Sequence, residues 1–377
     1  MTPEPLRTSD FDYQLPPELI AQEPLTDRAG SKLLVVLRND RRQGPSDRRQ
    51  LPRTGVLPRR ISLLGERTAI GASAIVDSTF SELPTLIAPG DLVVLNTTKV
   101  RHARLLGERQ SGAAAEILLI HPGAGDTWVA MGKPGTALRP GKQIELGSGA
   151  WVETVEVLPD GNRLVRFIGL TADEAMKRFG RLPLPPYINR DPTELDESRY
   201  QTVYARLEGS VAAPTAGLHF TPALLDTLSA AGVVVAGLDL QIGPGTFKPV
   251  ETEDPSQHTM HPEAYEITPR LAALVERVRE HGGRIWAVGT TVVRALESAA
   301  RDNGTIATGR AETQLMITPG YTFRVVDRML TNFHLPRSTL LMLVSAFAGH
   351  ELTSGAYRHA VAHRYRFYSY GDAMVIL

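Results

Sequence analysis

The stretch RIWAVGTTVVRALESAA, residues 284–300, decides the fold. Arg284 to Val288 is a short apolar run of strand length, Gly289-Thr290-Thr291 interrupts it, and Val292 to Ala300 follows with a helical pattern. Strand, glycine turn and helix in that order are the repeating unit of an α/β layer structure. The same punctuation recurs upstream. Thr221-Pro222 and Thr268-Pro269 each set a capping threonine before a proline at the first helical position, and Gly232 and Gly282 close those helices. Val233 to Leu240 then reads as a buried strand, as do Lys32 to Leu37 and, entered from the turn Pro89-Gly90, Asp91 to Asn96. The expectation is a main α/β domain with a largely parallel sheet.

Between Arg101 and Leu170 the pattern changes. Ala115–Ile120, Trp128–Met131, Gln143–Leu146, Trp151–Val157 and Arg163–Ile168 are short runs separated by Gly, Pro and Asp turns, with no helix between them. Closely spaced strands of this kind predict a small inserted β-barrel over residues 101–170. The main domain is then discontinuous, 1–100 and 171–377. After a helical patch at Thr171–Phe179, the stiff segment Leu182-Pro183-Leu184-Pro185-Pro186-Tyr187 marks the way back to it. Arg38 to Arg60 holds eight arginines against two acids, and residues 38–70 read as a flexible Arg-rich insertion. Such an arm either touches RNA backbone or is simply solvated.

Composition narrows the chemistry. The 377 residues carry 41 basic and 41 acidic side chains, so affinity for a polyanion has to come from a local surface. There are no cysteines, which removes disulfides, thiolate nucleophiles and Cys-ligated metals. Met1 to Asp10 has no signal-peptide pattern, and the longest apolar stretch, Leu340–Gly349, is too short to span a bilayer. A cytoplasmic protein with no membrane association is expected.

Several loops carry candidate chemistry, each with a plainer alternative. At Gly289-Thr290-Thr291 a helix begins with free N–H groups, two hydroxyls and Arg294 one turn in, which suits a carboxylate or phosphate; plain capping by threonine explains it as well. Gln241 to Phe247, with Gly245-Thr246, is either a close-approach loop or a tight turn, and it is neither a dinucleotide fingerprint nor a P-loop. His219 and His334 sit on loops at sheet edges, where α/β folds place their sites, though packed structural histidines look the same. His258, His261 and Glu263 match no zinc spacing, and no metal is expected. Arg364 to Tyr370 interleaves basic and aromatic residues, either a surface for unpaired bases or an amphipathic segment packed inward.

Taken in order, these segments resemble the S-adenosylmethionine:tRNA ribosyltransferase-isomerase family of queuosine biosynthesis. The resemblance runs through Phe11–Pro16, Leu19–Gln22, Leu182–Ile188, Arg199–Ala205, Val211–Phe220, Gly245–Phe247, Ala287–Thr291 with Arg294 and Leu296–Ser298, Thr331–Pro336, Ser345–Gly349 and Tyr370–Met374. It implies an α/β domain carrying an inserted barrel. It also implies the reaction, in which S-adenosylmethionine as co-substrate gives its ribosyl carbons to 7-aminomethyl-7-deazaguanine in tRNA, forming epoxyqueuosine and releasing adenine and methionine. The sulfonium acidifies the adjacent 5′ carbon, so a positioned base starts the sequence without metal or redox cofactor. His219 or Asp372 is expected to move the proton. Thr290, Thr291 and Arg294 are expected to hold the methionine carboxylate, with Thr215, Gly245, Thr246 and His334 in the same pocket. The partner is a tRNA anticodon loop, met by the barrel and by Arg364, Arg366 and Tyr370, and no obligate protein partner is implied. Asn96-Thr97-Thr98-Lys99 stands where the family usually reads Asn-Asp-Thr-Arg, and Pro244 and Glu208 stand where Ala and Pro are expected. These departures leave room for a divergent paralogue that binds RNA or acts on another deazapurine RNA.

Overall fold

A computed structural model describes residues 6–38, 67–70, 73–247 and 249–377. The Arg-rich stretch therefore falls outside the described residues, apart from Arg38 and a strand at 67–70. The chain opens with β1 (Lys32–Leu37), β2 (Arg67–Ile70), β3 (Ser73–Thr79), β4 (Leu92–Asn96) and β5 (Thr98–Val100). Six strands follow without an α-helix: β6 (Arg104–Arg109), β7 (Ala114–Pro122), β8 (Thr127–Lys133), β9 (Gln143–Gly147), β10 (Ala150–Val157) and β11 (Arg163–Ile168). Then come α1 (Ala172–Phe179), β12 (Gly180–Arg181), α2 (Glu194–Arg199), β13 (Leu207–Ser210), α3 (Pro222–Ala230), β14 (Val234–Leu240), β15 (Glu263–Ile267) and α4 (Pro269–Glu280). The last elements are β16 (Ile285–Val288), α5 (Thr290–Ala299), β17 (Gly309–Thr313), β18 (Arg328–Asn332), α6 (Thr339–Ala348), α7 (His350–Ala362) and β19 (Ala373–Ile376).

Ten strands form the main sheet in the order β17-β15-β14-β4-β16-β18-β19-β1-β3-β2. The expected largely parallel sheet is corrected here, because only the block β14-β4-β16-β18 and the β19–β1 pair are parallel. The other pairings are antiparallel. The β18–β19 pair shows why. A single helix between two strands carries the chain back to its starting edge and yields a parallel pair. Here two helices, α6 and α7, intervene, so β19 enters from the opposite end.

Alternation along the strands fills a core on each face. Leu34, Val36, Leu92, Val94, Ile285, Ala287, Met374 and Ile376 face the core covered by α4, α5, α6 and α7. Their neighbours Leu33, Val35, Val93, Leu95, Trp286, Val288, Ala373 and Val375 face the one covered by α3 and the short helix Phe80–Thr85. Two-sided burial is what makes the central strands continuous apolar runs rather than alternating ones. Thr221 and Thr268 cap α3 and α4 as read from the sequence, accepting from the amides of Leu224 and Leu271.

The second body is a closed six-stranded barrel, β6-β7-β8-β11-β10-β9, sealed by pairing of β9 with β6. Gly107 makes the seam possible: a Cβ there would lie 2.4 Å from the carbonyl oxygen of Glu145. Ala175 of α1 is buried in the barrel's core and β12 pairs with β6, so both pack on the barrel rather than on the main sheet.

The first and last strands of the barrel's sheet lie side by side, because β12 pairs with β6, and β5, which leads into the barrel, pairs in parallel with β13. Lys99 and Glu208, two of the departures from the family pattern, are direct cross-strand partners in that ladder and form an ion pair at 2.8 Å. One unusual residue thus supplies the partner of the other. Both side chains are largely exposed, so a double-mutant cycle on Lys99→Ala and Glu208→Ala is expected to give a coupling of at most about 1 kcal/mol that shrinks with added salt. A coupling well above that would mean the pair organises the barrel junction.

Candidate active site

All four parallel strands of the central block end at one cleft, the position where open α/β sheets hold ligands. Ile242 follows β14, Thr290 and Thr291 follow β16, and Thr331 to Leu335 close β18, all of them lining the cleft. Asn96 at the end of β4 donates to Thr291 Oγ1 at 3.4 Å and to the Leu240 carbonyl at 3.0 Å, tying three strand ends together. Ala212 to Ala216 form another wall, and Tyr187 and Ser369, joined by a 2.6 Å hydroxyl hydrogen bond, close the far side.

The helix start at this cleft differs from threonine capping. Gly289, at φ 90°, is the N-cap of α5, and no side chain caps the helix. A positive φ of that size suits glycine, which lets the chain turn sharply off β16. The first amides of α5 therefore meet the cleft without an intrahelical acceptor.

Asn332 and His334 furnish its most directional groups. Asn332 Nδ2 donates to the Tyr368 carbonyl at 3.0 Å and faces His219 Nε2 at 3.3 Å, which leaves Oδ1 buried with no hydrogen-bond partner among the described residues. His334 is pinned by its backbone, whose amide donates to the Tyr357 hydroxyl and whose carbonyl accepts from the Tyr13 hydroxyl. Its Nε2 lies 2.6 Å from Thr331 Oγ1. Burial pushes the His334 pKa down to about 3, so the imidazole is neutral at physiological pH.

Thr215, Thr290, Thr291 and His334 thus line one cleft. Other candidates do not reach it. His219 is 4% exposed and sits behind Asn332, stacked on Phe80, with Nδ1 on Ser31 Oγ at 2.9 Å. Both nitrogens are engaged, and burial holds its pKa down at about 3. Asp372 is 2% exposed and accepts the backbone amides of Lys32 and Arg366 at 2.8 and 2.7 Å, so its carboxylate shapes the last turn before β19. Arg294 points to the opposite side of α5, where it pairs with buried Glu263 and donates from Nε to the Leu315 carbonyl. Glu263 in turn accepts the Gly243 amide, so this pair anchors the 241–247 loop. Gly245 packs against His261 rather than facing the cleft, and the Thr246 side chain lies outside the described residues.

The expected base-stacking surface is also corrected. Tyr365, Phe367, Tyr368 and Tyr370 are all buried, and the Tyr370 hydroxyl donates to Asp196 at 2.6 Å. Arg366 is held by the Glu23 carbonyl, which leaves Arg364 as the exposed member of the set. Inward packing of aromatics satisfies the hydrophobic demand of the segment better than an open stacking platform does. Asn332, Tyr187 and Ser369 are cleft residues that sequence reasoning did not single out. All three lie inside quoted segments, but none carries a charge or unusual spacing that would set it apart.

A two-sided α/β domain whose strand ends converge on a cleft, joined to a closed barrel, presents that cleft at the sheet's carboxyl edge, where open α/β sheets hold ligands. The family model described as "Queuosine biosynthesis protein" matches residues 8–376, and the chain belongs to that family. It is 48% identical to the S-adenosylmethionine:tRNA ribosyltransferase-isomerase of Symbiobacterium thermophilum, over 99% of this chain and 100% of that protein. It is 48% identical to the same-named protein of Cupriavidus metallidurans, over 98% of each. The crystal structure of an S-adenosylmethionine tRNA ribosyltransferase from Thermotoga maritima superposes with a TM-score of 0.51 at 33% identity, covering 98% of this chain and 100% of that one.

Proposed function

We propose that this chain is an S-adenosylmethionine:tRNA ribosyltransferase-isomerase. It transfers and isomerises the ribosyl moiety of S-adenosylmethionine onto 7-aminomethyl-7-deazaguanine at the tRNA wobble position, giving epoxyqueuosine and releasing adenine and methionine. The observation that carries the reading is the meeting, in one cleft, of the uncapped start of α5, the unpaired Asn332 carbonyl and the neutral His334. The relatives named for this reaction are matched over essentially their whole length, which favours it over a divergent RNA-binding paralogue.

Within the cleft, the first amides of α5 with the Thr290 and Thr291 hydroxyls are suited to the methionine carboxylate, since a helix start attracts an anion. Asn332 Oδ1 is an acceptor waiting for an N–H, which both the adenine and the aminomethyl group offer. His334 Nδ1 makes no hydrogen bond among the described residues, and the neutral imidazole held by Thr331 is the proposed base; its low pKa makes it a weak one, so the step relies on the sulfonium's acidification of the 5′ carbon. This moves the proton-transfer role from His219 and Asp372 to His334, and leaves those two with positioning roles. Arg294 acts at one remove, through Glu263 and the 241–247 loop. No step in this scheme calls on a metal or redox cofactor.

The tRNA anticodon loop is proposed to lie along the groove between barrel and main domain, lined by Lys133, Pro183 to Pro186, Arg104, which is paired with Glu116 and Asp191, and Arg190, which is paired with Asp196. Arg364 adds an exposed charge elsewhere on the surface. No helix among the described residues is long and apolar enough to cross a membrane; the cytoplasmic location is proposed from the tRNA substrate.

Incubation of the protein with S-adenosylmethionine and tRNA bearing 7-aminomethyl-7-deazaguanine, followed by mass spectrometry, is expected to yield epoxyqueuosine, adenine and methionine. S-adenosylhomocysteine instead would identify a methyltransferase, and unchanged reactants beside an active family enzyme would leave an RNA binder. In the same assay His334→Ala is expected to lose about 10²-fold or more in turnover. Full turnover in that variant would remove His334 from the chemistry.

A further inference from the structure

On the surface of the main domain, the C-terminal end of α7 and β3 bring together three ligating side chains that do not line the cleft. His359 on α7 and His363, the residue that caps the end of that helix, are one turn apart, with their rings stacked at 3.7 Å between centroids and 18° between planes. His359 Nε2 lies 2.9 and 3.0 Å from the two carboxylate oxygens of Asp77 on β3. His363 Nδ1 is bonded to the His359 carbonyl at 2.9 Å, which fixes the ring proton there and leaves Nε2 as the lone-pair nitrogen. Among the described residues that Nε2 has no hydrogen-bond partner. One donor atom from each residue falls within 4.8 Å of the others.

We propose that Asp77, His359 and His363 bind a divalent first-row transition ion of the zinc class. Two imidazoles and a carboxylate are the borderline donor set such an ion prefers, and i, i+4 spacing on a helix aims both rings to one side. Bond lengths of about 2.0–2.1 Å place neighbouring donors about 2.9–3.4 Å apart around a tetrahedral or octahedral ion. The Asp77–His359 separation already meets that figure, and a modest rotation brings in His363. The carboxylate is also oriented from behind, since the Tyr365 hydroxyl donates to Asp77 Oδ1 at 2.5 Å. Outer partners of this kind hold a ligating carboxylate in place. Lys32, the nearby cation, is turned to the His363 carbonyl at 2.9 Å and the face of Tyr365, so its charge is engaged away from the donor atoms.

A purely structural reading explains part of the arrangement: Asp77, His359 and Tyr365 alone tie the helix to the sheet. That reading uses His363 only through Nδ1, at the end of α7, and leaves its Nε2 idle, which makes His363 the diagnostic residue. Tag-free, chelator-stripped full-length protein is titrated with Zn²⁺ by calorimetry and with Co²⁺ by visible absorption at neutral pH. One equivalent is expected to bind, with affinity falling at least about tenfold in both His363→Ala and Asp77→Asn. Because the His363 imidazole caps the end of α7, His363→Ala is expected to melt slightly lower without metal, so the reading is the rise on adding Zn²⁺, which is expected in the wild type alone. Stoichiometric binding that survives unchanged in His363→Ala, or wild-type protein that takes up no equivalent of either ion, overturns the proposal.

Discussion

Replacing Arg294 by alanine is expected to remove about 3–5 kcal/mol of folding stability, the usual cost of breaking a buried ion pair from one side. Arg294 and Glu263 are each about 5% exposed, and removal of the guanidinium strands a carboxylate that water does not reach. The measurement is a urea midpoint, compared with that of Arg294→Met combined with Glu263→Leu. The double substitution removes both charges and is expected to recover much of the loss, though the Gly243 amide then lacks its acceptor. If Arg294→Ala kept the wild-type midpoint and only raised KM for S-adenosylmethionine, the residue would be a ligand-binding group after all, and its pairing with Glu263 incidental.

Acid is expected to weaken the fold well before the carboxylates titrate. His219 and His334 are both held at about 3 by burial, against about 6.5 for an unfolded histidine. Below pH 6.5 the unfolded chain takes up protons that the folded one refuses, so stability is complete above that pH and falls as pH drops toward 3. Each histidine contributes up to about 1.4 kcal/mol per pH unit, so the two together cost roughly 5 kcal/mol between pH 6.5 and 4.5. Asp196, kept below the usual carboxylate range despite its burial by hydrogen bonds from Arg190, Tyr370 and Thr193, loses its contribution only in stronger acid. The two windows are therefore separable. Urea midpoints measured from pH 7.5 to 4.5 should slope downward, and His219→Gln should flatten the slope by about half; a level wild-type profile over that range would contradict neutral burial of the imidazoles.

Much of this architecture was legible because local chemistry and global packing agree. The barrel strands were visible as runs bounded by Gly and Pro turns, and α3 and α4 as Thr-Pro caps. The direction of β19 was not, since it depends on whether one helix or two precedes it, and the apolar α6 followed by Gly349 gave no sign of the second turn-back. At the site, loops at strand ends were found through their motifs, but the aim of long side chains was not. Arg294 sits in a motif one turn into a helix that faces the cleft, and its partner Glu263 lies 31 residues earlier on another element. No local pattern distinguishes a guanidinium waiting for substrate from one already neutralised. The Arg364–Tyr370 segment failed for a related reason, because inward aromatics flanked by surface arginines have the same composition as a stacking surface.

The pairing of β1 with β19 has a consequence for how the chain is made. These are the first and last strands in chain order, yet they lie hydrogen-bonded at the middle of one sheet, from Leu33 opposite Ala373 to Val36 opposite Ile376. As the polypeptide leaves the ribosome, β1 can zip only to β3, and its other edge stays open until the whole intervening sequence, barrel included, has emerged. That edge is almost entirely apolar, the kind of template that recruits neighbouring chains. The protein is thus expected to depend on holdase chaperones during synthesis, and a short deletion of residues 373–376 should split the sheet into two halves rather than merely fray its end.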